Sequence, residues 1–156
     1  MIYVVENNQY GMGTSVARAS ATVELCNRGA SFGIPGVRVD GMDVRAVKAT
    51  AERAMKWVRE GNGPYILEML TYRYRGHSMS DPAKYRTREE VQRMREEHDP
   101  IEQVRARLLQ GRLVSEDELK GIDAEIRGIV NGAAEFAQSD AEPEESELFT
   151  DVLLPA

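Results

Sequence analysis

Residues 65–75 read Tyr-Ile-Leu-Glu-Met-Leu-Thr-Tyr-Arg-Tyr-Arg, an apolar run that ends in alternating tyrosine and arginine. The length and composition of the first six of these residues are typical of a buried β-strand, and residues 2–5 and 37–39 have the same character. A helix is predicted between the last two strands, because Asp43 is a suitable N-cap and Gly61 follows the last turn. This order of strands and helix predicts an α/β fold with a parallel sheet and right-handed crossovers.

The predicted helix has one apolar face, which we expect to pack on the sheet. Its members recur at the spacing of a buried helical stripe, and they are Val44, Val47, Ala51, Ala54, Met55 and Val58. Between the first two strands, the polar and glycine-containing stretch 7–15 is predicted to be a loop. Residues 22–28 are predicted to form a short helix.

Charge divides the chain into two parts. Residues 1–85 carry 11 basic and 8 acidic side chains, whereas residues 86–156 carry 9 and 18. The acidic part contains three helix start signals, which are Thr87 with Glu90, Asp99 with Pro100 and Glu102, and Ser115 with Glu118. We therefore predict a partial α/β domain over 1–85, a helical region over 86–139, and an acidic linker and tail over 140–156.

The last predicted helix carries a single apolar stripe, formed by Leu119, Ile122, Ile126, Ile129, Ala133 and Phe136. The following residues 140–147 are rich in acids and contain Pro143, which predicts a solvated linker. Residues 148–149 and 152–154 are apolar again. We expect them to form a tail that is ordered only when it docks on another surface.

Composition excludes several classes of protein. The net charge of −6 over 156 residues makes nucleic acid a poor partner. No apolar run approaches the ~20 residues of a membrane span. The one cysteine, Cys26, cannot form an internal disulfide, so we interpret it as a packing residue in a reducing compartment. The apolar run at residues 2–5 is typical of a buried strand, yet no earlier segment is present to pair with it. We therefore expect the chain to be part of a longer protein.

The first candidate site is the loop Glu6-Asn7-Asn8-Gln9-Tyr10-Gly11-Met12-Gly13-Thr14, which follows the first predicted strand. Ligands of open α/β sheets bind beyond the carboxyl ends of the strands. Amide and carbonyl oxygens are suitable ligands for Mg²⁺, and Gly11 and Gly13 allow a ligand to lie close to the backbone. The alternative is an ordinary turn, because asparagine and glycine are also turn residues.

The second candidate site is Tyr72-Arg73-Tyr74-Arg75-Gly76-His77-Ser78-Met79-Ser80-Asp81-Pro82, which follows the strand at 65–70. Several cations surround His77 in sequence, namely Arg73, Arg75, Lys84, Arg86 and Arg88. This pattern favours a phosphate or carboxylate ligand, with His77 donating a proton or a hydrogen bond. The alternative is a solvated basic loop with a surface histidine. Serine catalysis by Ser78 or Ser80 is not favoured, because no nucleophile elbow accompanies them.

These motifs together resemble a known family. The segments Glu6 to Thr14, Ile34 to Asp43 and Tyr72 to Pro82, followed by Tyr85-Arg86-Thr87, are similar to the alpha subunit of the pyruvate dehydrogenase E1 component. The resemblance extends over nearly the whole chain. It is closer to the pyruvate enzymes than to their branched-chain relatives over Gly76-His77-Ser78-Met79-Ser80-Asp81-Pro82.

The resemblance implies an enzyme that uses thiamine diphosphate and Mg²⁺. Such an enzyme decarboxylates pyruvate oxidatively and transfers the acetyl unit to the lipoyl group of the E2 component. The implied fold is the C-terminal part of a thiamine-diphosphate-binding parallel-sheet domain, within residues 1–85, followed by the helical region. The implied partners are an E1 beta subunit, in an α2β2 heterotetramer, and the lipoyl domain of E2. Neither nucleic acid nor a membrane is implied.

The resemblance also assigns roles to single residues. Asn8 would bind Mg²⁺ through its side-chain oxygen and Tyr10 through its backbone carbonyl, and both belong to the cofactor site. His77 would approach the cofactor diphosphate and act as the catalytic residue. Ser78 and Ser15 match positions that mitochondrial relatives phosphorylate, whereas Lys84 replaces a third regulatory serine. The Gly-Asp-Gly opening of the family's cofactor motif is not among residues 1–156.

Two alternatives remain open at this stage. The chain by itself is either the catalytic part described above or a non-catalytic segment that docks a partner subunit. It is also similar to the alpha chains of acetoin and branched-chain 2-oxo acid dehydrogenases, which differ in substrate. The predicted location is the cytoplasm for a bacterial protein and the mitochondrial matrix for a eukaryotic one.

Overall fold

A computed structural model of the chain describes residues 1–150. The chain divides into two compact units, the first over Met1–Arg107 and the second from Leu108 onward. The described strands are β1 (Ile2–Asn7), β2 (Tyr10–Gly11), β3 (Thr14–Ser15), β4 (Gly36–Asp40) and β5 (Tyr65–Leu70). The described α-helices are α1 (Val16–Ala19), α2 (Val44–Arg59), α3 (Arg88–His98), α4 (Pro100–Gln110) and α5 (Glu116–Ser139).

The main sheet has three strands in the order β1-β5-β4, and β5 pairs in parallel with both neighbours. In this register Glu68 of β5 lies between Val5 of β1 and Arg38 of β4. The predicted α/β class with a parallel sheet is therefore confirmed. All three strands end at the same edge, so the segments after Asn7 and Leu70 leave the sheet side by side.

Helix α2 begins as predicted, since the Asp43 carboxylate accepts hydrogen bonds from the backbone N–H groups of Arg45 and Ala46. Its predicted apolar face is partly wrong, because Val44 and Met55 are exposed. The fully buried residues of the helix are Thr50 and Ala54, whose small side chains allow close packing on the sheet.

Residues 22–28 do not form the predicted helix. The chain instead forms a 3₁₀ helix over Leu25–Phe32, which ends at Gly33 in the left-handed region with φ 68°. Neighbouring backbone leaves little room there: a Cβ on Gly36 would lie 2.2 Å from the Cys26 carbonyl oxygen. The Cys26 side chain is buried, in agreement with its predicted packing role.

The stretch 7–15, predicted as a loop, contains a two-residue antiparallel ladder. Strand β2 pairs with β3 through the pairs Tyr10 with Ser15 and Gly11 with Thr14. Helix α1 follows directly, and the Ser15 hydroxyl accepts from the backbone N–H of Arg18 as its cap. Short elements of this size produce no periodic pattern in the sequence, which explains why they were missed.

The three helices predicted in the acidic part are confirmed as α3, α4 and α5. Thr87 caps α3 by accepting from the backbone N–H of Glu90, and Asp99 caps α4. Ser115 forms a complete capping box with Glu118 at the start of α5. The start signals in the sequence were therefore reliable.

The apolar stripe of α5 is exposed over most of its length. The exposed fractions are 50% for Ile122, 53% for Ile126, 61% for Ile129 and 68% for Phe136. A short 3₁₀ helix spans Glu145–Phe149, across the end of the predicted linker and residues 148–149 of the predicted tail. The predicted tail at 152–154 lies outside the described residues. None of the helices within residues 1–150 has the length and apolar character needed to cross a membrane.

Candidate functional site

The loop after β1 is shaped by two successive asparagine turns. The Asn7 side-chain oxygen accepts from the backbone N–H of Gln9 at 3.0 Å, and the Asn8 oxygen accepts from that of Tyr10 at 3.3 Å. Gln9 adopts a positive φ of 72°, which such turns tolerate. Asn7 is buried and Asn8 is half-buried. The loop is thus more tightly specified than an ordinary surface turn.

The loop after β5 is organised around the carboxylate of Asp81. This group accepts from the backbone N–H of His77 at 2.7 Å, from that of Ala83 at 2.8 Å and from the Tyr85 hydroxyl at 2.8 Å. These hydrogen bonds, that from His77 first, hold the pKa of Asp81 below its ordinary value. A Cβ on Gly76 would lie 2.7 Å from the Asp81 carbonyl oxygen, so glycine is required there.

Arg86 joins the two loops. It is buried, and its guanidinium donates to the backbone carbonyls of Arg73 and Arg75. It also lies 5.2–5.7 Å from the centroids of three aromatic rings, which belong to Tyr10, Tyr72 and Tyr85. The ring centroids of Tyr10 and Tyr85 lie 5.1 Å apart. The loop after β1, which contains Asn8, and the loop after β5, which contains His77, therefore form one cluster.

Tyr72 connects this cluster to helix α3. Its hydroxyl donates to the Glu90 carboxylate at 2.8 Å, and its side chain is buried. Burial first, and this hydrogen bond second, raise the pKa of Tyr72 to about 12. The phenol therefore stays neutral and keeps donating at any physiological pH.

The predicted site residues lie on the accessible side of the cluster. His77 is exposed, and its Nδ1 lies 3.2 Å from a guanidinium nitrogen of Arg73. The hydroxyls of Ser78 and Ser80 are exposed and lie 3.0 Å apart. Ser15 is half-buried and caps α1. Within residues 1–150, no hydrogen bond joins the Ser78 or Ser80 hydroxyl to a histidine or a carboxylate that could act as a base.

The donor atoms near Asn8 and Tyr10 fit one part of a magnesium diphosphate site. An amide oxygen and a backbone carbonyl are neutral oxygen ligands, which Mg²⁺ accepts when phosphate oxygens and water complete its octahedron. Among residues 1–150, no three His, Cys, Asp or Glu side chains lie together as metal ligands. The oxygens of Asn8 and Tyr10 would therefore account for part of such a ligand set.

Sequence reasoning missed two residues that organise the site. The sequence presents Arg86 as one of several cations and as part of the Tyr85-Arg86-Thr87 motif, and nothing in its spacing indicates burial among tyrosines. Glu68 was read as part of an apolar strand, although it is fully buried and donors from three segments surround it. A single acid inside an otherwise apolar strand is the signal that could have found it.

The comparison with known families agrees with this geometry. Residues 1–146 match the family described as "Dehydrogenase E1 component". The chain belongs to the dehydrogenase E1 component family. The resemblance inferred from the motifs is thereby confirmed.

Individual relatives of this E1 family share much of the sequence. A Rhizobium meliloti protein named "Pyruvate dehydrogenase E1 component subunit alpha" is 68% identical over 99% of this chain and 44% of its own length. A Zymomonas mobilis protein of the same name is 53% identical over 99% of the chain and 43% of its length. The mitochondrial somatic form from Homo sapiens is 50% identical over 94% of this chain and 37% of its own length. The E1 chain described here thus spans less than half the length of these relatives.

Proposed function

We propose that this chain is part of the alpha subunit of a pyruvate dehydrogenase E1 component. That enzyme decarboxylates pyruvate oxidatively and transfers the acetyl unit to the lipoyl group of E2. The observation that carries the proposal is the 68% identity over 154 residues to a protein of that name. The packing of the two motif loops into one cluster around Arg86 supports it, because both loops leave the sheet at the edge where such folds bind ligands.

The proposed cofactors are thiamine diphosphate and Mg²⁺. Asn8 would bind the metal through its side-chain oxygen and Tyr10 through its backbone carbonyl, with diphosphate oxygens among the other ligands. When bound, thiamine diphosphate supplies the electron sink needed for loss of carbon dioxide from a 2-oxo acid. The role of residues 7–10 is to hold the metal and the phosphates in a fixed position.

His77 is the proposed catalytic residue. Its backbone N–H is held by Asp81, whereas its ring is exposed and lies beside Arg73. A histidine in this position can donate a hydrogen bond or a proton to an anionic group. The neighbouring arginines favour the same anionic ligands. Ser78 and Ser15 remain proposed phosphorylation sites.

The proposed partners follow from the same assignment. They are an E1 beta subunit, in an α2β2 heterotetramer, the lipoyl domain of E2, and pyruvate as substrate. The proposed location is the cytoplasm if the protein is bacterial, and the mitochondrial matrix if it is eukaryotic. Within the chain, we retain the proposed division into a partial cofactor-binding domain over 1–85, a helical region over 86–139 and a tail over 140–156.

The test uses a full-length chimera in which residues 1–156 replace the matching part of the Rhizobium meliloti relative. The chimera is co-expressed with that relative's partner subunit, and substrate use is measured with pyruvate, branched-chain 2-oxo acids and acetoin. We expect a clear preference for pyruvate. A preference for acetoin or a branched-chain acid would replace the substrate assignment.

The two histidines of the chain provide a matched pair for the same assay. His77→Ala is expected to lower turnover or lipoyl acetylation, whereas His98→Ala, on α3, is expected to leave both unchanged. Equal activity of the two variants would remove the catalytic role from His77.

A further inference from the structure

Glu68 is a buried carboxylate in the central strand of the sheet. Its side chain is completely inaccessible, next to the apolar and equally buried Leu67. Burying a charged group costs free energy unless several hydrogen bonds and an opposite charge compensate for it. An apolar side chain would fill this position at lower cost, so the carboxylate needs a reason other than packing.

Three donors from three different segments surround this carboxylate. The Asn7 amide nitrogen donates to Oε1 at 2.7 Å, and the Arg38 guanidinium donates to the same oxygen at 3.0 Å. The backbone N–H of Cys26 donates to Oε2 at 2.9 Å. Glu68 therefore fixes the end of β1, the middle of β4 and the first turn of the 3₁₀ helix relative to one another.

The carboxylate is ionised in the folded protein. Burial raises the pKa of Glu68. The hydrogen bonds from Arg38, Asn7 and Cys26 together have a larger opposite effect, so the pKa lies below its ordinary value. An ionised carboxylate can only accept hydrogen bonds. The Asn7 side chain must consequently turn its nitrogen, and not its oxygen, toward Glu68.

This orientation determines the geometry of the loop that follows. With its nitrogen bound to Glu68, Asn7 has its oxygen free to accept from the backbone N–H of Gln9. That bond forms the first asparagine turn, and the second turn, from Asn8 to Tyr10, follows directly. A flipped Asn7 amide would break both of its hydrogen bonds at once.

We propose that Glu68 is a positioning residue for the metal-binding loop, acting through the Asn7 amide on the Asn8 side-chain oxygen and the Tyr10 carbonyl. The metal part of this inference rests on the proposed function, whereas the loop geometry does not. Outer residues of this kind typically change metal affinity by about 10- to 100-fold when they are lost.

The first experiment measures the loop itself in the chimeric complex, by hydrogen exchange detected with mass spectrometry. Glu68→Gln removes the charge and places an amide donor where donors already converge. We expect faster hydrogen exchange at the backbone amides of Gln9 and Tyr10. Leu67→Ala, which weakens the same strand without touching Asn7, is expected to leave these two amides unchanged. Unchanged amides in Glu68→Gln, or equal changes in both variants, would overturn the proposal.

The second experiment measures Mg²⁺ affinity in the chimeric complex. Glu68→Gln is expected to raise the Mg²⁺ dissociation constant about tenfold, with near-normal kcat at saturating Mg²⁺. Asn7→Ala removes the same Asn7–Glu68 hydrogen bond by changing its donor. This variant keeps the test decisive if Glu68→Gln does not fold. Because the two residues act in series, the double variant is expected to bind Mg²⁺ as tightly as the single variant that binds it less tightly. Normal Mg²⁺ affinity in Asn7→Ala, or fully additive effects, would contradict the link.

The two experiments separate this proposal from the proposed function. If Asn8→Ala also leaves Mg²⁺ affinity unchanged, the metal assignment fails. The amides of Gln9 and Tyr10 then still report whether Glu68 determines the shape of the loop.

Discussion

The guanidinium of Arg86 is buried between two backbone carbonyls and three tyrosine rings. Its flat shape matters, because a planar cation can donate in its own plane and stack on rings above and below. A lysine ammonium cannot reproduce both interactions. The arrangement makes the position of the His77 loop dependent on Tyr10, so binding at one loop can influence the other.

At the same scale, the role of Asn8 is directly testable. Asn8→Ala in the chimeric complex removes the proposed oxygen ligand of a metal that accepts few substitutes, so the affinities for Mg²⁺ and thiamine diphosphate are expected to fall together, by about tenfold or more. Isothermal titration measures both. Asn62→Ala, in the exposed loop after α2, is the control. Unchanged affinities in Asn8→Ala would move the ligand role to another residue, most simply Asn7.

A second residue-scale prediction concerns negative charge at Ser78. A phosphoryl group there adds about −1.5 to −2 charge units close to Arg73 and Arg75. Ser78→Glu imitates part of this charge, which would repel a diphosphate or pair with the arginines. We expect the variant of the chimeric complex to lose most of its activity, whereas Ser31→Glu, on the exposed side of the 3₁₀ helix, retains it. A fully active Ser78→Glu would contradict this electrostatic mechanism.

At the scale of elements, one carboxylate of the first unit links two helices. Asp43 caps α2, and both of its oxygens also accept from the guanidinium of Arg107 on α4, at 3.3 and 3.0 Å. The Arg107 hydrogen bond, followed by those of the cap, lowers the pKa of Asp43 from 3.8 to about 2. The cap was visible in the sequence, but its partner 64 residues away was not.

This shift predicts how stability depends on pH. Because the folded pKa lies below the ordinary value, the stabilising contribution of Asp43 is complete above pH 3.8, decreases as the pH falls toward about 2, and is absent below that. Urea unfolding of Asp43→Asn is therefore expected to show a lower midpoint than the original chain at neutral pH, with the difference shrinking across this range. Arg107→Gln should reproduce part of the loss. Equal midpoints at neutral pH would refute the assignment.

The elements that the sequence predicted well are those with local causes. Capping pairs at Thr87, Asp99 and Ser115 act within one turn, so they identified the α-helices α3, α4 and α5. The 3₁₀ helix was displaced from its predicted place because close backbone packing, which no local pattern records, determines it. In the candidate site the loops were found from residue types, whereas Glu68 and Arg86 act through contacts between distant segments.

At the scale of the whole molecule, the first unit carries the candidate site, and the second is strongly acidic. Residues 108–150 contain eleven acidic and three basic side chains. Helix α5 there exposes apolar residues along one stripe. Exposed apolar surface of this kind favours association. The candidate site of the first unit, in contrast, consists of two loops that meet around Arg86.

The last prediction follows from that donor set. Asn8 and Tyr10 offer two neutral oxygens, and among residues 1–150 no three His, Cys, Asp or Glu side chains lie together as metal ligands. The isolated 156-residue chain is therefore expected to bind Mg²⁺ and thiamine diphosphate at least about tenfold more weakly than the chimeric complex, which adds the remaining part of the relative and its partner subunit. Calorimetric titration of both proteins with cofactor and metal measures the difference. Because loss of the fold would also weaken binding, circular dichroism of the isolated chain must first show its helices. Equal affinity in the two proteins would mean that residues 1–156 contain the complete cofactor site, with ligands beyond Asn8 and Tyr10.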